Sequence, residues 1–179
     1  LVARHNLQAD IMSNWVPWRA AGSLAEVIEL TQEYQVLINR FYIDRLRFHK
    51  YRPTGGIVPF LFVDAHPAVT WSVIDYWRVP KRSYYALQQA FRPQYAFCLI
   101  EPRPHTVGEA VELPIYAVND ARRGFSDARL EICLRDPDGA VLAESRHRLE
   151  LPADCTTFLV ERLRLTPTRP GDYSLTLAL

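Results

Sequence analysis

The sequence is poor in several things at once. In 179 residues it has one methionine, three cysteines and seven glycines. No apolar stretch approaches the ~20 residues that a membrane-spanning helix needs, so no membrane partner is expected. Cys98, Cys133 and Cys155 leave an odd thiol and lack zinc-ligand spacing. Neither a disulfide framework nor a metal site is expected, and a reducing, cytoplasmic compartment is preferred. Excess charge is missing too: 21 Lys and Arg face 20 Asp and Glu, and the basic residues are scattered rather than banked. That argues against nucleic acid as a partner. The opening LVARHNLQAD has neither the apolar core nor the cleavage site of a signal peptide, and it lacks an initiator Met, so the chain reads as a piece of a longer protein. There is no phosphate loop, nucleophile elbow or internal repeat, and no cofactor is expected.

What is present is an ordinary globular composition, 49% hydrophobic and 23% charged, with room for one large domain or two small ones. Residues Leu1 to Gly22 read as irregular, with one helical turn and with Trp15 and Trp18 in core packing. Ser23 and Glu26 form a capping-box pair: the hydroxyl takes the amide three residues on, and the carboxylate reaches back to the Ser23 amide. Leu24, Val27, Ile28, Thr31, Tyr34, Leu37, Ile38 and Phe41 then recur at helical spacing. Arg45, Arg47, His49, Lys50 and Arg52 crowd the far end, where a solvated cluster suits the helix dipole, and Pro53 stops the helix. After Gly55-Gly56 the run Ile57 to Val63 is apolar on both faces, which predicts a buried parallel strand despite Pro59. Pro80 suits the first position of a second helix, on which Tyr84, Leu87, Gln88 and Phe91 share a face.

After Pro93 the period changes from helical to alternating. Tyr95, Phe97 and Leu99 alternate with smaller residues, as do Val111 to Ala117, Leu130 to Leu134 and Tyr173 to Leu179. Asp136-Pro137-Asp138-Gly139 is a strong turn signal. A phase change between Val160 and Leu163 predicts a bulge near Glu161. Pro170-Gly171-Asp172-Tyr173 fits a tyrosine corner. About six short strands predict an immunoglobulin-like antiparallel β-sandwich over residues 94–179, lacking its last strand and so leaving an exposed edge. Residues 1–93 form the other domain.

The stretch Tyr51 to Phe91 resembles the end of the catalytic barrel in glycoside hydrolase family 2, on the β-mannosidase and exo-glucosaminidase side. Gly55-Gly56, Asp64, Pro67, Trp71-Ser72, Asp75-Tyr76 and Pro80-Lys81 stand in the family's order and at similar spacing, and Thr31 to Gln35 is similar to the start of its penultimate helix. The departures are Phe60 where the family often has Trp and Val63 where it often has Asn. The resemblance implies the end of a (β/α)8 barrel (long helix, last strand, last helix) followed by an immunoglobulin-like domain. It also implies a parent that hydrolyses O-glycosidic bonds by a retaining mechanism, with carbohydrate as the partner reached through the barrel.

Retaining hydrolysis needs two carboxyl groups about 5 Å apart. The resemblance puts them on barrel strands upstream of this chain, so no catalytic residue is assigned here. Glu26, Glu29 and Glu33 lie on a helix, and Glu101, Glu109 and Glu112 in the sandwich. Three loop residues are candidate substrate contacts. Asp64 is an acceptor that can bind a sugar hydroxyl or orient a neighbour, His66 follows it, and Trp71 can offer an apolar face to a pyranose ring. The competing reading is a non-catalytic carbohydrate-binding or protein-interaction module on a β-sandwich scaffold. A barrel fragment also leaves faces uncovered, which predicts self-association.

Overall fold

A computed structural model describes residues 9–179, apart from the side chain of Ile11; the reading of the first eight residues as irregular falls outside that range. The chain forms two compact units. One takes the residues up to Ile43 together with Ile57–Ala90; the other takes Asp44–Gly56 and Phe91–Leu179.

The first unit is helical. A short helix α1 (Ala9–Ser13) and a 3-10 turn (Trp18–Ala20) precede the long helix α2 (Leu24–Phe48), whose last turn belongs to the second unit. The α2 start is capped as the sequence suggests, with a change of register. Ser23 Oγ accepts the Glu26 amide at 3.2 Å, but the Glu26 carboxylate reaches one residue further back and accepts the Gly22 amide at 2.8 Å. Trp15 is half exposed rather than in the core, and its ring stacks at 6.5 Å on Tyr34 of α2. Helix α3 (Arg82–Ala90) buries Leu87 and Ala90, and begins two residues beyond Pro80.

The expected strand over Ile57–Val63 is not formed. Leu61 takes a left-handed φ of 60°, which breaks an extended run, and among the described residues the run's one ladder contact is a parallel bridge from Val63 to Ile74. A strand that is apolar on both faces needs neighbours on both sides. Among the described residues none flanks this one, and Val58 is 92% and Phe60 72% exposed.

The second unit is a β-sandwich of antiparallel strands: β1 (Gln94–Cys98), β2 (Val111–Asn119), β3 (Phe125–Arg135), β4 (Val141–Leu151), β5 (Cys155–Leu165) and β6 (Ser174–Ala178). They form two three-stranded sheets, ordered β1-β2-β5 and β4-β3-β6. In β2, β3 and β6 the alternating residues of the sequence face inward, but in β1 the opposite phase does: Ala96 and Cys98 meet the core, while Tyr95 and Phe97 pack against Arg47 and Tyr116. Ala96, Ile115, Ala117, Leu130, Ile132, Leu149 and Leu151 make the core. The bulge falls where the phase change puts it. Ile115 pairs with Glu161 and Tyr116 with Leu159, leaving Val160 extra. In the β3–β4 turn, Asp136 Oδ1 accepts the amides of Asp138 and Ala140, and Gly139 supplies the φ of +84°. Tyr173 closes its corner just before β6: its hydroxyl accepts the Thr168 amide at 3.1 Å and donates to the Arg169 carbonyl at 3.3 Å. Gly171 is needed beside it, because a Cβ there would stand 2.7 Å from the Pro137 ring.

The basic end of α2 is solvated only in part: Arg45, His49 and Arg52 are exposed, but Arg47 and Lys50 are not. Arg47 is 5% exposed, pairs with Asp120 at 2.7 Å and lies 4.9 Å over the Tyr95 ring, while the Tyr95 hydroxyl donates to Asp44 at 2.9 Å. Lys50 bridges Asp120 at 2.8 Å and Asp154 at 2.7 Å, and the Tyr51 hydroxyl donates to Asp154. Asp120 follows β2 and Asp154 lies in the turn before β5, so Asp44–Gly56 is fastened to two turns of the sandwich. The dipole argument identified the right charge for a helix end but not the anions, which lie far along the sequence.

Candidate functional site

In the first unit the polar residues of the 64–83 stretch converge on one carboxylate. The chain runs out through Phe62, turns, and returns: the Val73 and Ile74 amides both reach the Phe62 carbonyl, and the Asp64 amide reaches Ile74 O at 3.0 Å. This crossing buries Asp64, 4% exposed, beneath the loop it opens. Its Oδ1 accepts the Thr70 hydroxyl and its Oδ2 faces Lys81 Nζ at 3.2 Å. The Lys81 ammonium also donates to Ser72 Oγ at 2.8 Å, and the Ser72 amide donates to Thr70 Oγ1. Burial alone would raise the Asp64 pKa; the Thr70 and Ser72 hydroxyls and the Lys81 charge outweigh it and hold the carboxyl below its usual range.

Helix α2 supports the loop from behind. Gln35 Nε2 donates to the carbonyls of Trp71 and Ser72 at 2.9 and 3.1 Å, and Ser83 Oγ fixes the other end of the amide by donating to Gln35 Oε1 at 2.8 Å. Arg82 adds ion pairs to Glu29 and to Glu33, the latter at 2.7 Å. A second turn is built by Asp75, whose carboxylate accepts the Val79 amide at 2.8 Å, and Arg78 takes a φ of 69° within it.

The three expected contact residues therefore occupy different settings. Asp64 is at the centre, buried and held by hydroxyl and ammonium donors. His66 lies exposed on the loop that Asp64 begins. Trp71 is half exposed, its backbone fixed by Gln35 and its ring edge-on to Phe60 at 6.0 Å. Asp64 and Trp71 are brought into one hydrogen-bonded assembly through Thr70 and Ser72. Phe60, read from sequence only as a departure, stands on the same exposed rim. Thr70 and Ser83 had no signal beyond their residue type; Gln35 was visible only as the end of the Thr31–Gln35 stretch, and Lys81 in the Pro-Lys pair. Chemically, this arrangement holds a loop rigid and shows two aromatic rings to solvent. Among the described residues no group of three or more His, Cys, Asp or Glu could hold a metal ion, and no helix is long and apolar enough to cross a membrane.

No family model matches the sequence, and neither does any curated protein. Solved structures do match the fold. A β-D-mannosidase from Dictyoglomus thermophilum aligns over 88% of this chain with a TM-score of 0.66 and 25% identity. An exo-chitosanase from Amycolatopsis orientalis aligns over 97% with a TM-score of 0.66 and 14% identity. The same enzyme bound to PNP-β-D-glucosamine, as its D469A form, aligns over 86% with a TM-score of 0.62 and 15% identity. The chain spans only 17 to 20% of the length of these structures. The class that fold and neighbours define is that of a segment shared with glycoside hydrolases. It includes a β-sandwich and a preceding helical unit.

Proposed function

We propose that this chain is the C-terminal part of a β-glycosidase-like protein of the glycoside hydrolase family 2 kind. In this reading the first unit is the end of the catalytic barrel and the second its immunoglobulin-like accessory domain. The parent cleaves O-glycosidic bonds with retention, and its two catalytic carboxylates lie outside this chain. The observation that carries the reading is the alignment of nearly the whole chain, across both units, with a fifth or less of a β-mannosidase. The converging network at Asp64 supports it, because Asp64, Ser72 and Lys81 are the residues through which the family resemblance was read.

Trp71, with His66 and Phe60, forms part of the rim of the carbohydrate site, and Asp64 serves that rim by orientation. All of its described donors lie within the loop, so a sugar hydroxyl would have to displace one of them. This chain alone is expected to turn over neither nitrophenyl β-mannoside, β-galactoside nor β-glucosaminide. Turnover that survives purification and is lost when a carboxylate within residues 1–179 is neutralised would overturn the reading.

The alternative, a sugar-binding sandwich, has less support. The outward face of β2 and β5 carries Glu112 with Arg162 and Arg164, a charged row rather than a flat aromatic strip. Self-association is the more natural second role, since Val58, Phe60, Phe62 and Trp77 are open on the first unit. Light scattering of a clean monomer with no dye-binding surface would exclude it.

A further inference from the structure

We propose that Ser145, His147 and Glu161 form a polar seam that closes the β4–β5 side of the sandwich, keeps these two edges from pairing with other strands, and opens in acid. The topology creates the need. β4 and β5 are consecutive strands, but among the described residues β4 is laddered only to β3 and β5 only to β2. Two backbone edges of 11 residues each are thereby left on the same side of the fold without a ladder between them. Unpaired edges of that length invite strangers, and natural sheets guard them with bulges and inward-pointing charges.

Both guards are present here. The extra residue Val160 shifts the phase of β5, and Glu161 follows at a position that is partly buried. Its Oε2 accepts the Ser145 hydroxyl at 2.5 Å and the His147 Nε2 at 2.8 Å, both from β4 in the opposite sheet. Side chains therefore bridge the two sheets where backbone bonds do not. Ser145 and His147 occupy alternate positions of β4, in phase with the buried Leu149 and Leu151. Across the ladders, the residues in register are Leu130 with His147, Ile132 with Ser145 and Ile115 with Glu161, none of them titratable. The neighbouring charges point outward and are engaged: Arg146 with Glu131 and Glu144, and Arg162 with Glu112. The seam thus has one anion and one imidazole.

The sign of the pH dependence follows. Burial would raise the Glu161 pKa, but the bonds from Ser145 and His147 outweigh it and hold it below the usual carboxylate range. A depressed carboxylate contributes stability that is complete above its unfolded pKa, about 4.3, and lost as pH falls through the folded value. Once Glu161 is neutral, the seam loses the anion that accepts from Ser145 and His147.

The test is backbone amide exchange of the whole chain, resolved by strand, with light scattering in parallel. At pH 7, Glu161→Gln is expected to speed exchange of the β4 amides bonded to β3 and the β5 amides bonded to β2 by roughly tenfold, the scale of a lost charged hydrogen bond. The β1–β2 ladder should stay unchanged and association should rise. Wild-type protein should show the same pattern on acidification below pH 4, and Glu161→Gln should show no further strand-selective change there. Exchange in β4 and β5 that matches wild type, or that rises equally in all strands, would overturn the proposal. Should Glu161→Gln fail to fold, Ser145→Ala and His147→Leu each remove one donor and leave the carboxylate, and the same strand-selective change is required of them.

Discussion

The two units solve the burial problem differently. The sandwich hides its central apolar residues: Phe97, Ile115, Leu130, Ile132 and Leu151 are inaccessible, while Val141, Leu142 and Leu159 on its edge strands stay partly exposed. The helical unit has few buried apolar side chains (Met12, Val16, Ile43, Val73, Leu87 and Ala90), while Val58, Phe60, Phe62 and Trp77 lie open. What orders its long loop is a set of hydrogen bonds around one carboxylate. A unit held by apolar packing depends most on its core side chains, whereas one held by a few polar bonds depends on each of them.

The comparison can be broken most sharply with core truncations. Ile132→Ala should destabilise the sandwich by about 2–5 kcal/mol, whereas Phe60→Ala should change stability by no more than about 0.5 kcal/mol. Chemical denaturation followed by strand signals separates the two, and a large loss from Phe60→Ala would mean that its ring is covered in solution. Next in size is Arg47→Met. The buried guanidinium bonds Asp120 and the Arg92 carbonyl; its removal loses both bonds although Asp120 keeps Lys50, costing on the order of 3 kcal/mol. A near-neutral result would show that the helix end is dispensable to the sandwich.

Asp64→Asn sharpens the comparison from the other side. It should cost roughly 1.5–3 kcal/mol, and the loss should appear as faster amide exchange over residues 70–74 with the sandwich ladders unaffected. The wild-type loop should loosen on acidification only as the pH falls through the folded pKa of Asp64, below the usual carboxylate range. The asparagine variant should not share that dependence. A lesser effect, though still above that of Phe60→Ala, is expected at Gly171→Ala, about 1–2 kcal/mol, from a φ of +134° and a Cβ pressed on Pro137. Pro137→Gly removes both close atoms and should relieve that contact, leaving the backbone strain.

The sandwich was largely legible in the sequence, because alternation, a turn motif and a bulge are local signals. Six strands, the Asp136–Gly139 turn, the bulge beside Glu161 and the Tyr173 corner all follow from residues within reach of one another. The helical unit was legible in its helices and not in its loop. Ile57 to Val63 has the composition of a buried strand, but composition cannot provide the neighbours that a strand requires, nor foresee the left-handed turn at Leu61. The candidate site was half visible: Asp64, Ser72, Trp71 and Lys81 stand out by their order, while Gln35, which fixes Trp71, sits 36 residues away on α2. The basic helix end was misjudged for the same reason, since Arg47 meets Asp120 across 73 residues.

That last contact alters what counts as one folding unit. The chain enters the sandwich at Asp44, leaves it at Gly56 and returns only at Phe91. In topological terms residues 57–90 are an insertion, and the sandwich is discontinuous along the chain. Its folding must therefore close a loop before Arg47 and Lys50 can reach their acids. Because closure entropy grows only with the logarithm of loop length, the interval can lengthen, shorten or change its cargo at little cost to the sandwich.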